Sequence, residues 1–331
     1  MLALLLVHCS GPEYSQQTAG DKIFTAPGPE DMEIDSSTGT TRLIISTDDR
    51  RTKPRPGGVI QYVNMDDTVV RTFQLANWHE SRIFPHGLAL SHDRDSTWLY
   101  VISHEPLPDD TTNFNRHRIH RFYISRDTLY WVEAFEDPLL RAPNDLFVTP
   151  DGQIFVTNYL KRISTWQTMS TALFKRRTGS TVRYRPGRGW DEIITRQVYP
   201  NGIHIWQNKL FIAEGGRKRI QVYALKDFSS PLHQIKDREL LFADNFSLGS
   251  DGMLYITSHP CLFCFSAHAR QATKLSPSLG WRINPENYRA EKIFSDDGSR
   301  ISAASTLVKY QQQYFLSQVF NNYLLTVPAT Y

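Results

Sequence analysis

The stretch APNDLFVTPDGQIFVTN, Ala142–Asn158, carries the pattern that decides the fold. Two short apolar runs, LFVT and IFVT, are separated by PDG, a sequence typical of turns. The stretch therefore predicts a hairpin of two short strands. Asn144 and Asp145 lie where the loop leads into the first strand, and their side-chain oxygens are of the kind that bind hard metal ions.

The same order of polar start, apolar strand, turn and second apolar strand occurs six times along the chain. The starts lie at Glu30, His86, Asn144, Asn201, Asp244 and near Ile301, and all intervals but one are about 57 residues. A further strand pair fits between the hairpins, as in GGVIQYVN with VRTFQL. Four strands per repeat are typical of a propeller blade, so we predict an all-β, six-bladed β-propeller with four antiparallel strands per blade. The alternatives are a β-sandwich and a two-domain all-β protein, and the regular period argues against both.

We expect residues 21–331 to form one propeller domain, with the segment before Glu30 adding a strand to the last blade. Leu160–Phe174 interrupts the strand pattern with apolar residues near one helical face. It predicts a short helical insertion that caps one end of the propeller, with a long irregular loop as the alternative.

Residues 1–20 begin with the apolar run MLALLLV and contain Cys9. The run is too short to cross a bilayer. It resembles the end of a secretory or lipoprotein signal, and a packed N-terminal strand is the alternative. The first interpretation predicts an extracytoplasmic protein, whether periplasmic, lipoprotein-anchored or secreted, with membrane or lipid association through its N-terminus.

The 331 residues carry a formal net charge of +3, which gives no reason to expect a nucleic-acid partner. Of the three cysteines, Cys261 and Cys264 form a CxxC that no second CxxC or HxxxH accompanies. We interpret them as two ordinary thiols, with a disulfide or metal role as the alternative.

In a propeller the innermost strands line a central tunnel, so the polar starts of successive repeats meet at one end of it. This set comprises Glu30, His86, Asn144, Asn201, Asp244 and Asn245. Carboxylate and amide oxygens without thiolates are typical of a Ca²⁺ site. Asp31 and Asp145 follow Glu30 and Asn144 directly, and they predict a second oxygen-bound cation.

These residues resemble the paraoxonase/arylesterase family. The motifs are GPED at Gly28–Asp31, PHG at Pro85–Gly87, PND at Pro143–Asp145, NG at Asn201–Gly202 and ADN at Ala243–Asn245, with STDDRR at Ser46–Arg51 resembling bacterial members. The likeness spans roughly Glu30 to Ser305. It implies a six-bladed propeller that hydrolyses lactones and aryl esters with calcium, and a small-molecule lactone or ester as the partner. Nothing in the sequence sets an oligomeric state.

Carried over by motif, the resemblance implies two calcium ions. The ligands of a catalytic Ca²⁺ would be Glu30, Asn144, Asn201, Asp244 and Asn245, and those of a structural Ca²⁺ would be Asp31, Asp145 and the backbone carbonyl of Leu88. His86 in PHG and His104 in VISHEP match the family's histidine pair, and His259 in SHP matches a further active-site histidine.

The sequence departs from the family in three places. The chain ends VPATY, so the cysteine that closes the propeller in animal members is absent. Tyr159-Leu160 replaces an Asp-His pair, which leaves the substrate range open. Ser258 stands where the family has a free cysteine.

The resemblance implies a mechanism in which calcium polarises the ester carbonyl, His86 acts as general base toward water and His104 orients it. A serine nucleophile is not expected, because the sequence has no GxSxG motif. A gluconolactonase-type sugar lactonase and a non-enzymatic propeller that binds a partner on its loop face are the alternatives.

Overall fold

A computed structural model describes residues 20–37, 39–93, 96–106, 114–161 and 174–329, and these residues form a six-bladed β-propeller. Blade 1 contains β2 Pro29–Asp35, β3 Arg42–Asp48, β4 Gly58–Asn64 and β5 Val70–Thr72. Blade 2 contains β7 Pro85–Asp93, β8 Ser96–Pro106, β9 Phe114–Ser125 and β10 Thr128–Phe135, with β6 Gln74–Ala76 as a fifth strand. Blade 3 contains β11 Pro143–Val148, β12 Ile154–Asn158, β13 Gly179–Arg185 and β14 Gly189–Gln197.

Blade 4 contains β15 Pro200–Trp206, β16 Lys209–Glu214, β17 Arg219–Ala224 and β18 His233–Lys236. Blade 5 contains β19 Phe246–Leu248, β20 Leu254–Ser258, β21 Ser278–Ile283 and β22 Ala290–Asp296. Blade 6 contains β23 Ala304–Tyr310, β24 Gln313–Gln318 and β25 Tyr323–Pro328, with β1 Asp21–Phe24 as its outer strand. The described residues also form a 3₁₀ helix, Gly215–Arg217, and an α-helix, α1, Leu262–Arg270.

The pairing of β1 with β25 closes the ring, because it joins the two ends of the chain within one blade. Asp21 lies opposite Thr326 and Phe24 opposite Tyr323 in this antiparallel pair. The predicted additional strand from the segment before Glu30 is therefore confirmed, and backbone hydrogen bonds between β1 and β25 close the propeller.

The hydrophobic core consists of six clusters, each between two neighbouring blades. Between blades 1 and 2, for example, Ile44 and Tyr62 pack with Leu99 and Phe122. Equivalent clusters fill the other five junctions, including the one between blades 6 and 1. Since every sheet is apolar on both faces, each blade is stabilised by both neighbours.

Three expectations need correction or restriction. VRTFQL does not form one strand, because Phe73 turns into the core and divides it into β5 in blade 1 and β6 beside β10 of blade 2. Cys261 and Cys264 are not free thiols but form a disulfide that joins the N-cap of α1 to the first turn of this helix. The predicted capping helix at Leu160–Phe174 falls mostly on residues 162–173, outside the described residues.

Among the residues that the structure describes, no helix has the length and apolar character needed to cross a bilayer. The apolar segment predicted for residues 1–20 lies, apart from Gly20, outside the described residues.

Candidate active site

Five of the six innermost strands begin with a β-bulge, and these bulges place the polar residues. The register shifts between Pro29 and Asp31, and the same shift occurs after Pro85, Pro143, Pro200 and Ala304. A bulge leaves extra residues out of the ladder and redirects their side chains. Proline suits this position because it needs no ladder partner for a backbone N–H. The bulges explain how two consecutive residues, such as Glu30 and Asp31, both face the hub.

Gly87 and Gly202 lie in two of these bulges because no larger residue fits. A Cβ atom on Gly202 would lie 2.2 Å from the backbone oxygen of Asp244, and one on Gly87 would lie 2.5 Å from that of Asn144. The amide of Gly202 donates to the same Asp244 oxygen at 3.1 Å. The glycines therefore allow the start of one inner strand to touch the start of the next.

The polar starts surround a cavity of about 240 Å³ at one end of the tunnel. Seven of the predicted site residues line it: Glu30, His86, His104, Asn144, Asn201, Asp244 and His259. Asn245 lies beside the cavity, fully buried, and its side-chain nitrogen donates to Glu30 Oε1 at 3.1 Å. The structure thus brings together the residues predicted for the catalytic calcium and the three predicted histidines.

Four oxygen atoms in this group are buried and have no hydrogen-bond partner in the described part of the chain. They are Glu30 Oε2, Asn144 Oδ1, Asn201 Oδ1 and Asn245 Oδ1. They come from four different blades, and the amide nitrogens of Asn201 and Asn245 donate to neighbouring carboxylates, which leaves the amide oxygens for another partner. Burying such atoms without a partner is costly. A hard cation that takes six to eight oxygens would satisfy them, so the residues present fit calcium.

This donor set relies on amides as much as on carboxylates. Among the described residues, no group of three or more histidine, cysteine, aspartate or glutamate side chains is placed to hold a metal ion. Amide and carboxylate oxygens of this kind are typical ligands of hard cations such as calcium.

Asp244 connects the oxygen cluster to His259. Its Oδ2 accepts hydrogen bonds from His259 Nε2 at 3.0 Å and from the Ser305 hydroxyl at 3.1 Å. The same hydroxyl lies 3.1 Å from Glu30 Oε1. Burial raises the pKa of Glu30, and the nearby Arg50 guanidinium opposes this shift. Ser305 is a residue of blade 6 that the sequence analysis did not assign to the site.

Asp31 and Asp145 form a second pair that links neighbouring inner strands. Asp31 Oδ2 accepts from the backbone amide of Leu88 at 2.7 Å, and Asp145 Oδ2 accepts from that of Ile203 at 2.8 Å. Burial and the charge of Glu30 raise the pKa of Asp31 to about 8. Burial and the charge of Asp31 raise the pKa of Asp145 well above its usual range. Two neighbouring carboxyl groups of this kind suit a cation, although one oxygen of each already accepts a hydrogen bond from a backbone amide. The role of the Leu88 carbonyl stays a prediction.

The two histidines of the predicted pair lie close together, and two further residues, Arg50 and His117, contact them although neither was predicted. The ring centres of His86 and His104 lie 4.7 Å apart. Arg50 Nη2 lies 2.9 Å from His86 Nδ1, and His117 Nδ1 lies 2.8 Å from His104 Nδ1. Burial lowers the pKa of both His86 and His104 well below the usual range. Both rings are therefore neutral at neutral pH.

Arg50 is held mainly by backbone carbonyl groups. Its Nη1 donates to the carbonyl oxygens of Gly28 and Asp48 at 3.1 and 3.2 Å, and its Nη2 to that of Pro85 at 3.3 Å. The guanidinium is thus fixed beside His86. Arg50 belongs to the STDDRR stretch, which indicated a family likeness but not a role in the site.

Aromatic and apolar side chains form much of the remaining cavity wall. They are Tyr159, Tyr199, Phe242, Leu262, Phe265 and Phe320. Tyr159 packs against Tyr199 with ring centres 5.3 Å apart. Leu262 and Phe265 lie on α1, which the strand pattern did not indicate.

The protein is a six-bladed propeller that carries carboxylates, amides and histidines at one end of its tunnel. The chain belongs to the arylesterase family, whose model matches residues 48–326. No curated protein matches the chain.

Solved structures with the same fold include three with low sequence identity. A luciferin-regenerating enzyme aligns with a TM-score of 0.56 at 8% identity, over 94% of this chain and 96% of that one. A putative gluconolactonase aligns with 0.52 at 12% identity, over 95% and 93%. A gluconolactonase from Xanthomonas campestris aligns with 0.50 at 14% identity, over 95% and 99%. These similarities support the fold alone.

Proposed function

We propose that this protein hydrolyses lactones and aryl esters in a calcium-dependent reaction. Membership of the arylesterase family supports ester or lactone hydrolysis. The observation that carries the proposal further is a set of four buried oxygens that have no hydrogen-bond partner among the described residues. This set lies next to a neutral histidine pair at a cavity. A scaffold that only binds partners on its loop face has no need for such a set.

Glu30, Asn144, Asn201, Asp244 and Asn245 would hold the catalytic ion, and Asp31, Asp145 and the Leu88 carbonyl a structural one. Calcium bound at the first site supplies a Lewis acid that polarises the ester carbonyl and stabilises the developing oxyanion. Asp244 also accepts the hydrogen bond from His259 and so holds that ring at the edge of the cavity.

The chain's own groups bind the substrate and move the proton. The aromatic wall suits the apolar part of an aryl ester or an alkyl-substituted lactone, because it buries apolar area and excludes water from the reacting bond. A neutral histidine of the His86/His104 pair takes a proton from water as it attacks the carbonyl carbon.

A substrate panel with controlled calcium tests the proposal. Alkyl-substituted lactones, phenyl acetate and gluconolactone are assayed with calcium, after dialysis against EGTA, and after calcium is restored, with bound calcium measured each time. We expect hydrolysis of the first two substrates, loss in EGTA and recovery with calcium. Preference for gluconolactone would support the sugar lactonase. Full activity in calcium-free protein would refute the metal's role, and inactivity on every substrate would refute the function.

We also propose an extracytoplasmic location, which the apolar run at Met1–Val7 supports. Cell fractionation followed by immunoblotting checks this, and full-length protein found only in the cytosol would contradict it.

A further inference from the structure

The Cys261–Cys264 disulfide adjoins two residues of the cavity wall, and the proposed reaction has so far given it no role. The bond joins the N-cap of α1 to the first turn of the helix, with 5.2 Å between the two Cα atoms. Leu262 lies inside the turn that the bond closes, and Phe265 follows it directly; both side chains line the cavity. Phe263, on the same turn, is 69% exposed. The disulfide therefore closes the turn that supplies part of the apolar wall.

Phe265 shows how closely this turn approaches the site. Its ring centre lies 4.8 Å from that of His259 and 5.4 Å from that of Phe320. Leu262 precedes it by three residues, a spacing that places two side chains on the same face of a helix. Any shift of the first turn would therefore move both side chains at the cavity.

The two ends of α1 are held by different means. Toward the C-terminus, Arg51 Nη2 lies 3.0 Å from Nε2 of the buried His268 and donates to its carbonyl oxygen at 2.9 Å. Arg51 Nη1 also donates to Asn321 Oδ1 at 2.7 Å, in the loop between β24 and β25. The first turn is held by the disulfide and by the packing of Phe265. A helix of nine residues is too short to be stable by itself, so the restraint on this turn matters.

We propose that the Cys261–Cys264 disulfide is a positioning element of the candidate active site. It holds Leu262 and Phe265 against the apolar part of the substrate, and a dithiol reductant that opens it loosens this wall and weakens substrate binding. The inference rests on the proposed hydrolase function and adds a redox-dependent substrate affinity to it. His268 and Arg51 keep the far end of α1 in place in both states.

The reduction balances as a thiol–disulfide exchange. A thiolate of the dithiol attacks one sulfur of the protein disulfide, and the S–S bond breaks to give a mixed disulfide and a cysteine thiolate. The second thiol of the reductant then displaces the other cysteine, so the reductant becomes a cyclic disulfide and the protein gains two electrons and two protons. Both cysteines are partly exposed, and the Cys264 amide, 3.1 Å from Cys261 Sγ, is placed to donate to a Cys261 thiolate.

Steady-state kinetics on the best ester or lactone test the proposal. The oxidised protein is compared with the protein reduced by dithiothreitol and with the double variant Cys261→Ser/Cys264→Ser, which retains Cys9 as a control for that thiol. We expect KM to rise about 10-fold in the last two with kcat nearly unchanged, because a lost apolar contact weakens the ground state and the transition state alike. Oxidised glutathione should restore the low KM of the reduced protein, and dithiothreitol should not affect the double variant. An unchanged KM after reduction, with both thiols shown by alkylation and mass spectrometry, would overturn the proposal.

Two substitutions separate positioning from a general loss of stability. Leu262→Ala should raise KM more in the oxidised wild-type background than in the double variant, where this contact is already loosened. The exposed control Phe263→Ala, on the same turn, should leave KM unchanged in both backgrounds. A structural defect would instead lower melting temperature and calcium content. Equal effects of Leu262→Ala in the two backgrounds would refute the link between the disulfide and the wall.

Binding of acetanilide, the amide analogue of phenyl acetate, tests the wall without hydrolysis. Calorimetry should give a Kd about 10-fold higher for the reduced protein than for the oxidised protein. If this difference is found while the wild type is inactive on every ester and lactone, the hydrolase function fails and the role of the disulfide stands. If the protein is active but KM and Kd are equal in both redox states, the role of the disulfide fails and the function stands. Oxidised protein that does not bind acetanilide would also overturn the proposal.

Discussion

The buried carboxyl groups predict an unusual dependence of stability on pH in calcium-free protein. The pKa of Asp31 is raised from its ordinary value of 3.8 to about 8 in the folded protein. Between these two values the folded state holds a proton that the unfolded state has released, so the free energy of unfolding falls as pH rises. Glu30 and Asp145 shift in the same direction.

The size of the effect follows from the linkage between protons and folding. One such group changes stability by about 1.4 kcal/mol per pH unit within the window, so Asp31 alone gives a loss of about 2.7 kcal/mol between pH 5 and pH 7. At about 2 °C per kcal/mol for a large domain, the melting temperature should fall by about 5 °C. Calcium bound at the proposed sites would keep the carboxylates ionised in the folded state, so it should flatten this dependence. At a hundred times its Kd it adds about 2.7 kcal/mol.

Thermal unfolding followed by fluorescence between pH 4.5 and pH 7.5, in EGTA and in calcium, checks this prediction. Asp31→Asn removes the titrating group and should flatten the curve in EGTA, while the exposed control Asp66→Asn should not. A melting temperature in EGTA that stays level or rises from pH 5 to pH 7 would refute the reasoning. So would an identical slope with and without calcium.

Three further changes test other parts of the site. Asn245→Ala removes one of the buried oxygens, so it should lower kcat on every ester and lactone by about 10²–10³-fold and should also lower the amount of bound calcium. The exposed control Asn208→Ala should change neither quantity. An Asn245→Ala variant that retains both calcium and turnover would contradict the ligand role. Gly202→Ala places a Cβ 2.2 Å from the backbone oxygen of Asp244 and should reduce both the calcium affinity and the melting temperature. A calorimetric titration with calcium that gives the wild-type affinity would contradict the close contact. Thiol labelling of the denatured, unreduced protein followed by peptide mapping should leave Cys261 and Cys264 unlabelled because they are joined, and labelling of both would exclude the disulfide.

The sequence alone determined the repeat and therefore the fold. Each blade begins with the same local signals, a proline or other turn residue followed by an apolar run, and these signals depend only on neighbours along the chain. The polar starts, from Glu30 to Asn245, could be assigned to one site because a propeller brings equivalent positions of every repeat to one axis. The sequence also predicted that the segment before Glu30 adds a strand to the last blade, and β1 pairs with β25 in this way.

Only the tertiary structure decided the partners of these residues. Asn245 donates to Glu30 across 215 residues of sequence, and Arg50 meets His86 from another blade. His117 lies beside His104 because two strands pair in one register, and a shift by a single residue would turn it to the other face. Such contacts leave no periodic trace in the chain, since they depend on how separate strands come together. They decide which side chains meet at the site.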